Sequence, residues 1–215
     1  AGTPANLSTT SSSTLAFGGS SAGVNIPSSV TDLSLLATDN INGVTLNSNL
    51  ITSGIQNGAA TSGIFDINTR TVSGGAVILY NGSITGTSGV LTGTSFDVRN
   101  GSISAILAGD GVDLTKTTGG TVTLSGTNTF TGATIFNAGI INATALANLG
   151  NGSVLTFDGG TLQFNGVFDP SARTMTFNAG GATIDTQANG ITFANAVGNN
   201  GAGRLTKSGS GALTL

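Results

Sequence analysis

Nine aspartates are the only acidic side chains in this chain of 215 residues: Asp32, Asp39, Asp66, Asp97, Asp110, Asp113, Asp158, Asp169 and Asp185. There is no Glu, His or Cys. Nucleophilic triads of the Ser-His-Asp or Cys-His kind are therefore excluded. What remains possible is paired-carboxylate chemistry, as in glycoside hydrolysis, or oxygen ligation of a hard cation. Asp66 and Asp97 follow Phe65 and Phe96 at the same place of a short repeat, which reads as a solvent-facing strand position. Asp158 and Asp169 flank turns, where a carboxylate caps local backbone N–H groups. Ala108-Gly-Asp-Gly-Val-Asp113 resembles one imperfect copy of a glycine-rich calcium nonapeptide. Such sites need oxygen ligands from consecutive copies, so a structural turn is the expected reading. The expected catalytic, cofactor-binding and metal sets are all empty, and no enzyme activity is expected.

Other candidates reduce in the same way. Lys116 and Lys207 occupy matching repeat positions and are expected to be outward strand residues that discourage lateral sheet pairing. Tyr80, the single tyrosine, reads as a partly exposed strand residue. The ten Phe fall mainly at alternating strand positions and read as core stacks. Thr121, Thr123, Thr127, Thr129 and Thr131 share the regular spacing of ice-binding faces, but Thr is also a good strand former.

The elements that would carry these residues follow from composition. Gly (35), Thr (34), Ser (23) and Asn (21) make up just over half of the chain, and charged residues number only 15. Residues that favour helix surfaces are nearly absent, which argues against long helices. An apolar fraction of 38% and few charges argue against ordinary disorder. The net charge of −3, with six scattered basic residues, makes nucleic acid an unsuitable partner. No apolar run approaches the roughly 18 residues that would span a bilayer, so no membrane insertion by this segment is expected. The start, Ala1 rather than Met and without a signal peptide, reads as a mature or excised terminus. The absence of Cys is compatible with a chain that crosses membranes unfolded.

Repeats decide the fold. A ten-residue pattern occurs as Phe65-Asp-Ile-Asn-Thr-Arg-Thr-Val-Ser-Gly74, Val77-Ile-Leu-Tyr-Asn-Gly-Ser-Ile-Thr-Gly86 and Phe96-Asp-Val-Arg-Asn-Gly-Ser-Ile-Ser-Ala105. Leu155-Thr-Phe157 returns as Met175-Thr-Phe177, and Phe164 and Ile184 share the same offset. Leu114-Thr-Lys116 returns much later as Leu205-Thr-Lys207, and Gly120–Leu124 returns as Gly211–Leu215. Short runs such as Val122-Thr-Leu124 and Leu162-Gln-Phe164 alternate apolar and polar residues, the period of strands. Eight Asn-Gly pairs punctuate them. Asn-Gly also signals hairpins, so an antiparallel sandwich or barrel is the rival. Recurrence in one chain direction favours an all-β, right-handed parallel β-helix (a β-solenoid) of about 20 residues per coil. On the order of ten coils would make a rod about 50 Å long. Residues 1–23 are expected to be an irregular or capping segment and 24–215 the solenoid. Ala143–Gly150 is expected to hold one helical turn or a bulging loop.

Leu114-Thr-Lys-Thr-Thr-Gly-Gly-Thr-Val-Thr-Leu-Ser-Gly-Thr-Asn-Thr-Phe-Thr-Gly132, followed by Ala133-Thr-Ile-Phe-Asn-Ala-Gly139, resembles the passenger-associated repeat of bacterial autotransporters, also called the autotransporter-associated β-strand repeat. Its pattern is Leu-x-Lys, a Gly-rich turn, Thr-Leu-Ser-Gly, Asn-Thr-aromatic-Thr-Gly, then a short strand ending Asn-Ala-Gly. Phe136 and Ile140-Ile141 depart mildly from the usual Val and Thr-Leu. The resemblance covers 111–143, with a second copy begun at 203–215. It implies a right-handed β-helix passenger exported across an outer membrane, often with a C-terminal β-barrel. It also implies an extracellular or cell-surface place and a role as adhesin, rod or filament. No catalytic residue is carried over, because the repeat has none. The function expected is a non-catalytic structural or adhesive rod segment of a large bacterial surface protein. The alternatives are a subunit of a self-assembling extracellular fibre or sheath and, third, a polysaccharide-degrading β-helix enzyme. Expected partners are the chain itself, end to end or laterally, or a host or matrix surface. The apolar, Gly-rich tail after Lys207 carries no polar cap, so the chain is expected to continue or to be covered by a neighbour.

Overall fold

A computed structural model describes the backbone of residues 14–19, 24–26, 32–33, 35–40, 44–46, 49–52, 54–58, 62–198 and 201–215, and the side chains of these from Thr45 onward. The chain winds as a parallel β-solenoid. Its strands form a nine-stranded, a ten-stranded and a five-stranded sheet, plus one two-stranded pair, each joining strands from successive coils. Every strand pairing among the described residues is parallel, which removes the hairpin alternative. On the nine-stranded sheet Val77 pairs with Phe96, Phe96 with Leu114, Leu114 with Thr134, Thr134 with Leu155 and Leu155 with Met175. Each of these pairings advances the chain by about 20 residues, one coil of a solenoid. Ten strands about 4.8 Å apart span roughly 43 Å.

Alternation places the core. In Val154–Phe157 and Thr161–Phe164 the second and fourth residues are buried and the first and third are not. Parallel sheets are normally covered on both faces. Here each sheet turns one face to the interior of the coil and the other to solvent, so the strands keep the period of two. Leu155, Phe157, Leu162, Phe164 and Ile184 are fully buried. The expected stacking of Leu155 with Met175 and of Phe157 with Phe177 is present. Phe164 and Ile184, in contrast, are not partners. Leu162 pairs with Ile184, because residues 178–182 separate Phe177 from Thr183, two more than the Asp158–Gly160 that separate their register partners Phe157 and Thr161.

Two successive turns from the nine-stranded to the ten-stranded sheet use the pairs Asn81-Gly82 and Asn100-Gly101, whereas later ones are other Gly-containing turns such as Asn137-Ala-Gly139 and Asp158-Gly-Gly160. Gly82 and Gly101 have φ of 96° and 113°, and a Cβ on Gly101 would lie 2.0 Å from the carbonyl oxygen of Gly82. The corner is therefore a stack of glycines that leaves no room for a side chain. Beside it, Asn100 donates to Asn81 Oδ1 at 2.8 Å, and Asn81 donates to Ser62 Oγ at 2.8 Å.

The third side of the coil changes along the rod. The five-stranded sheet ends with Ile106–Ala108. In the next coil residues 125–133 contain no strand; scattered main-chain bonds such as Thr129 N to Leu107 O and Asn128 N to Ala147 O remain, and the Asn128 side chain adds to them. Its Oδ1 accepts from Leu107 N at 2.9 Å, and its Nδ2 donates to Asn148 O at 2.6 Å, linking the coils on either side. The expected helical turn is a 3-10 helix, Leu146–Leu149. Its entry is held by Asn148 Oδ1, which accepts from Thr144 N and Ala145 N. Thr14–Gly19, inside the segment expected to be irregular or capping, pairs with Leu35–Asn40, so solenoid strands are present before residue 24.

Candidate functional site

All seven aspartates whose side chains are described are engaged within the coils. Asp113 Oδ1 accepts from Ala133 N at 2.7 Å and Asp158 Oδ1 from Gly180 N at 2.8 Å. Asp110 Oδ1 accepts from Thr131 Oγ1 at 2.7 Å. Asp169 Oδ1 takes Ser171 N and its Oδ2 takes Ala194 N, at 2.8 and 2.9 Å. Asp185 Oδ2 accepts from Gln163 and Gln187, and Asp66 Oδ1 accepts from Asn68 N. Most of these bonds join a carboxylate to the next or preceding coil, 20 to 25 residues away. Burial pushes the carboxyls of Asp169 and Asp185 upward, but the donors facing them outweigh it and hold both below the usual carboxylate range. Asp32 and Asp39 lie in the strands Asp32–Leu33 and Leu35–Asn40, and their side chains are outside the described residues.

The repeat-based equivalence of Asp66 and Asp97 does not hold. Asp66 lies in Gly63–Asp66 of the ten-stranded sheet, opposite Thr85, whereas Asp97 lies in Ser95–Val98 of the nine-stranded sheet, between Ile78 and Thr115. The same short motif occupies two different sides of the coil. Asp97 forms the one ion pair among the described residues, 2.7 Å from Arg99, and also accepts from Thr117 Oγ1. The Arg99 guanidinium lies 4.3 Å from the centre of the Tyr80 ring, so that ring face is covered. This half-buried cluster still meets solvent, which screens the pair and limits its contribution.

Lys116 overturns the expectation of an outward lysine. It is 0% exposed, and its Nζ donates to Thr118 O. Its neighbours in register are Val98 and Phe136, both core residues. The sequence signal was available: in Leu114-Thr-Lys116 the lysine shares the parity of buried Leu114 and therefore its face. Burial lowers the ammonium to a pKa of about 8, and the Asp97 carboxylate offsets this only in part. Lys207 is exposed.

The five regularly spaced threonines do not share one flat row. Thr121 and Thr123 stand on the ten-stranded sheet beside Ile140 and Asn142, while Thr127, Thr129 and Thr131 lie in the strandless stretch. The row that includes Thr123 continues as an amide–carboxylate ladder: Asn142 Nδ2 donates to Gln163 Oε1 at 2.6 Å, and Gln163 Nε2 donates to Asp185 Oδ2 at 2.8 Å.

A cleft of about 400 Å³ is lined by Ser171, Arg173, Thr174, Met175, Asn195 and Val197, among others. Its cation is turned to main-chain oxygens: Arg173 donates to Leu149 O at 2.9 Å and Gly150 O at 2.5 Å, closing the end of the 3-10 helix. Ser171 Oγ accepts from Asn195 N at 3.0 Å. The lining residues include no acid or base that could exchange a proton near neutral pH. Among the described residues no three metal-ligating side chains come together. Among the same residues, no helix is long and apolar enough to cross a membrane.

Comparison with protein-family models, with curated proteins and with solved structures finds no match to this chain.

Proposed function

We propose that this chain is a non-catalytic rod segment of a large secreted or cell-surface bacterial protein, whose work is to present a stiff, protease-resistant shaft. The observation that carries this reading is the use of the carboxylates. Apart from Asp66, which holds its own turn, each described aspartate accepts a hydrogen bond from a neighbouring coil. The groups a glycan-cleaving solenoid would need thus serve as fasteners. Continuous parallel ladders and a stacked apolar core give such a shaft its stiffness. The resemblance of 111–143 to the passenger-associated repeat of autotransporters supports the surface location and the adhesin or rod role.

Two measurements test it. An antibody to this chain on intact cells of the source organism should label the envelope, and label confined to the cytoplasm would refute the reading. The purified chain should leave a panel of acidic and neutral polysaccharides intact. Depolymerisation abolished by Asp97→Asn or Asp185→Asn would make it an enzyme.

A further inference from the structure

Asn-Gly is the pair at which an asparagine most readily loses its amide without an enzyme, because glycine has no side chain to hinder the attack. The main-chain nitrogen of the glycine attacks Asn Cγ, a C–N bond closes an imide ring, and the amide nitrogen leaves as ammonia. Water then opens the ring at either carbonyl and leaves an aspartyl or an isoaspartyl residue. The attack needs an asparagine side chain that can turn and a glycine N–H that no hydrogen bond holds. Six of the eight Asn-Gly pairs lie within the described residues; those at Asn42 and Asn200 lie outside them.

The coils treat these six differently. Asn57 is buried, and its Nδ2 donates to Gly63 O at 3.2 Å and to Ser83 O at 2.9 Å. Asn81 and Asn100 are tied into the corner ladder through their amide nitrogens, and the glycines after them open the strands Gly82–Thr85 and Gly101–Ile103. Asn189 Nδ2 donates to Phe164 O in the preceding coil at 2.9 Å, although Gly190 lies in no strand. Asn151 and Asn165 stand apart: both are exposed, and neither side chain makes a hydrogen bond among the described residues. Their main-chain N–H groups donate to Phe130 O and Ala143 O, both at 2.8 Å, so the backbone is held while the amide can turn. Gly152 and Gly166 lie in no strand, and their N–H groups meet no main-chain oxygen among the described residues.

We propose that Asn151 and Asn165 are sites of spontaneous, site-selective conversion to aspartyl and isoaspartyl residues, while side-chain hydrogen bonds keep the other four described pairs as asparagine. Water is the only co-reactant. Each event turns a neutral corner into a carboxylate, so a chain of net charge −3 grows more acidic as it ages. The isoaspartyl product also adds a methylene to the main chain at a corner seated tightly on the coil before it. A Cβ on Gly152 would lie 1.8 Å from Gly132 O, and one on Gly166 2.3 Å from Thr144 O. Ageing at these two corners therefore loosens coil stacking as well as adding charge.

The test holds the purified 215-residue chain in mildly alkaline buffer, folded and, in parallel, unfolded in guanidinium chloride. Aliquots are digested with pepsin in acid, where imide formation is slow. Each asparagine is followed by mass spectrometry, and isoaspartate is scored by enzymatic methylation of its carboxyl. Every folded rate is divided by the rate of the same site in the unfolded chain, which removes the influence of local sequence. The expected ratios at Asn151 and Asn165 are about tenfold or more above those at Asn57, Asn81, Asn100 and Asn189, which must first break their amide hydrogen bonds. Asn189 is the decisive comparison, because its glycine lies outside any strand and its bond to Phe164 O is what sets it apart. A ratio at Asn189 equal to that at Asn165 overturns the proposal. So does a ratio at Asn151 or Asn165 as low as that of the bonded pairs, since the tight seating of Gly152 or Gly166 would then govern the chemistry.

Discussion

Phe136 and Phe157 stack face to face from consecutive coils, with ring centroids 4.3 Å apart and planes inclined by 7°. Phe177 meets Phe157 from the following coil, edge-on, with centroids 5.7 Å apart. Three coils thus share one aromatic column, and Phe157 is its middle member. Phe157→Ala should lower the unfolding free energy by about 3–5 kcal/mol, the usual range for deleting a buried phenyl ring. Phe157→Asp should cost more, since it leaves a carboxylate among apolar side chains without a partner. Urea unfolding followed by circular dichroism measures both. A loss under about 1 kcal/mol for the alanine variant would mean that the column is not a core element.

The glycine corner is the second sensitive place. Gly101 has φ of 113°, and a methyl group there would sit 2.0 Å from Gly82 O, a main-chain atom that cannot step aside. Gly101→Ala is expected to destabilise by several kcal/mol, combining backbone strain with a steric clash. Gly111→Ala is the control. Its φ of 66° also lies in the left-handed region, but nothing lies within 4 Å of the added carbon. Similar melting temperatures for the two variants would show that contact between stacked corners contributes nothing.

The solenoid is legible in the sequence because stacking copies the same alternation from coil to coil. Val77 over Phe96 and Phe157 over Phe177 can be read from spacing alone. Equivalence by motif is less secure than equivalence by spacing. Phe65-Asp66 and Phe96-Asp97 look like copies, yet they occupy different sheets, because a short strand-turn-strand unit fits more than one side of a coil. Spacing itself fails where one corner is longer than the corner it stacks on, as between Leu162 and Ile184. At Lys116 charge points to the surface and strand parity to the core, and parity decides. The fastening role of Asp113, Asp158 and Asp169 depends on main-chain N–H groups 20 to 25 residues away, and no local pattern announces such partners.

Asn128 should prove as important as a core phenylalanine. It is 1% exposed, and it bonds one coil through Leu107 N and the other through Asn148 O. Asn128→Leu would fill similar volume while leaving a buried donor and a buried acceptor unmatched, at a cost of about 1–3 kcal/mol for each. Asn128→Asp keeps the acceptor for Leu107 N but loses the donor and sets a buried carboxylate oxygen against Asn148 O, so its impairment arises on the Asn148 side and from the buried charge. Hydrogen exchange at the Leu107 amide separates the two: protection lost in the leucine variant and retained in the aspartate variant. Equal protection in both would show that the side-chain oxygen does not hold that amide.

Lys116 and the acidic fasteners give stability a pH dependence of defined sign. The folded state lowers Lys116 to about 8, whereas an unfolded lysine titrates near 10.4. Between those values the unfolded chain binds more protons, so this residue makes stability rise with pH across that window. Below about pH 8 the penalty of the buried charge is present in full. Asp169 and Asp185 act at the other end. Their carboxyls are held below the ordinary range, so their contribution is present above roughly pH 4 and is lost as pH falls below it. Lys116→Met keeps most of the stem's packing and removes the charge. It should raise stability at pH 7 by about 1 kcal/mol or more, as apolar replacement of buried charges often does. Thr118 is exposed, so water can serve the carbonyl that Lys116 releases. Urea midpoints of the native chain and the variant, taken at pH 7 and pH 9.5, isolate the effect from every other titrating group. The gap between them should narrow at the higher pH, where the native lysine has lost its proton. A gap that stays constant would place the ammonium in water and remove Lys116 from the core.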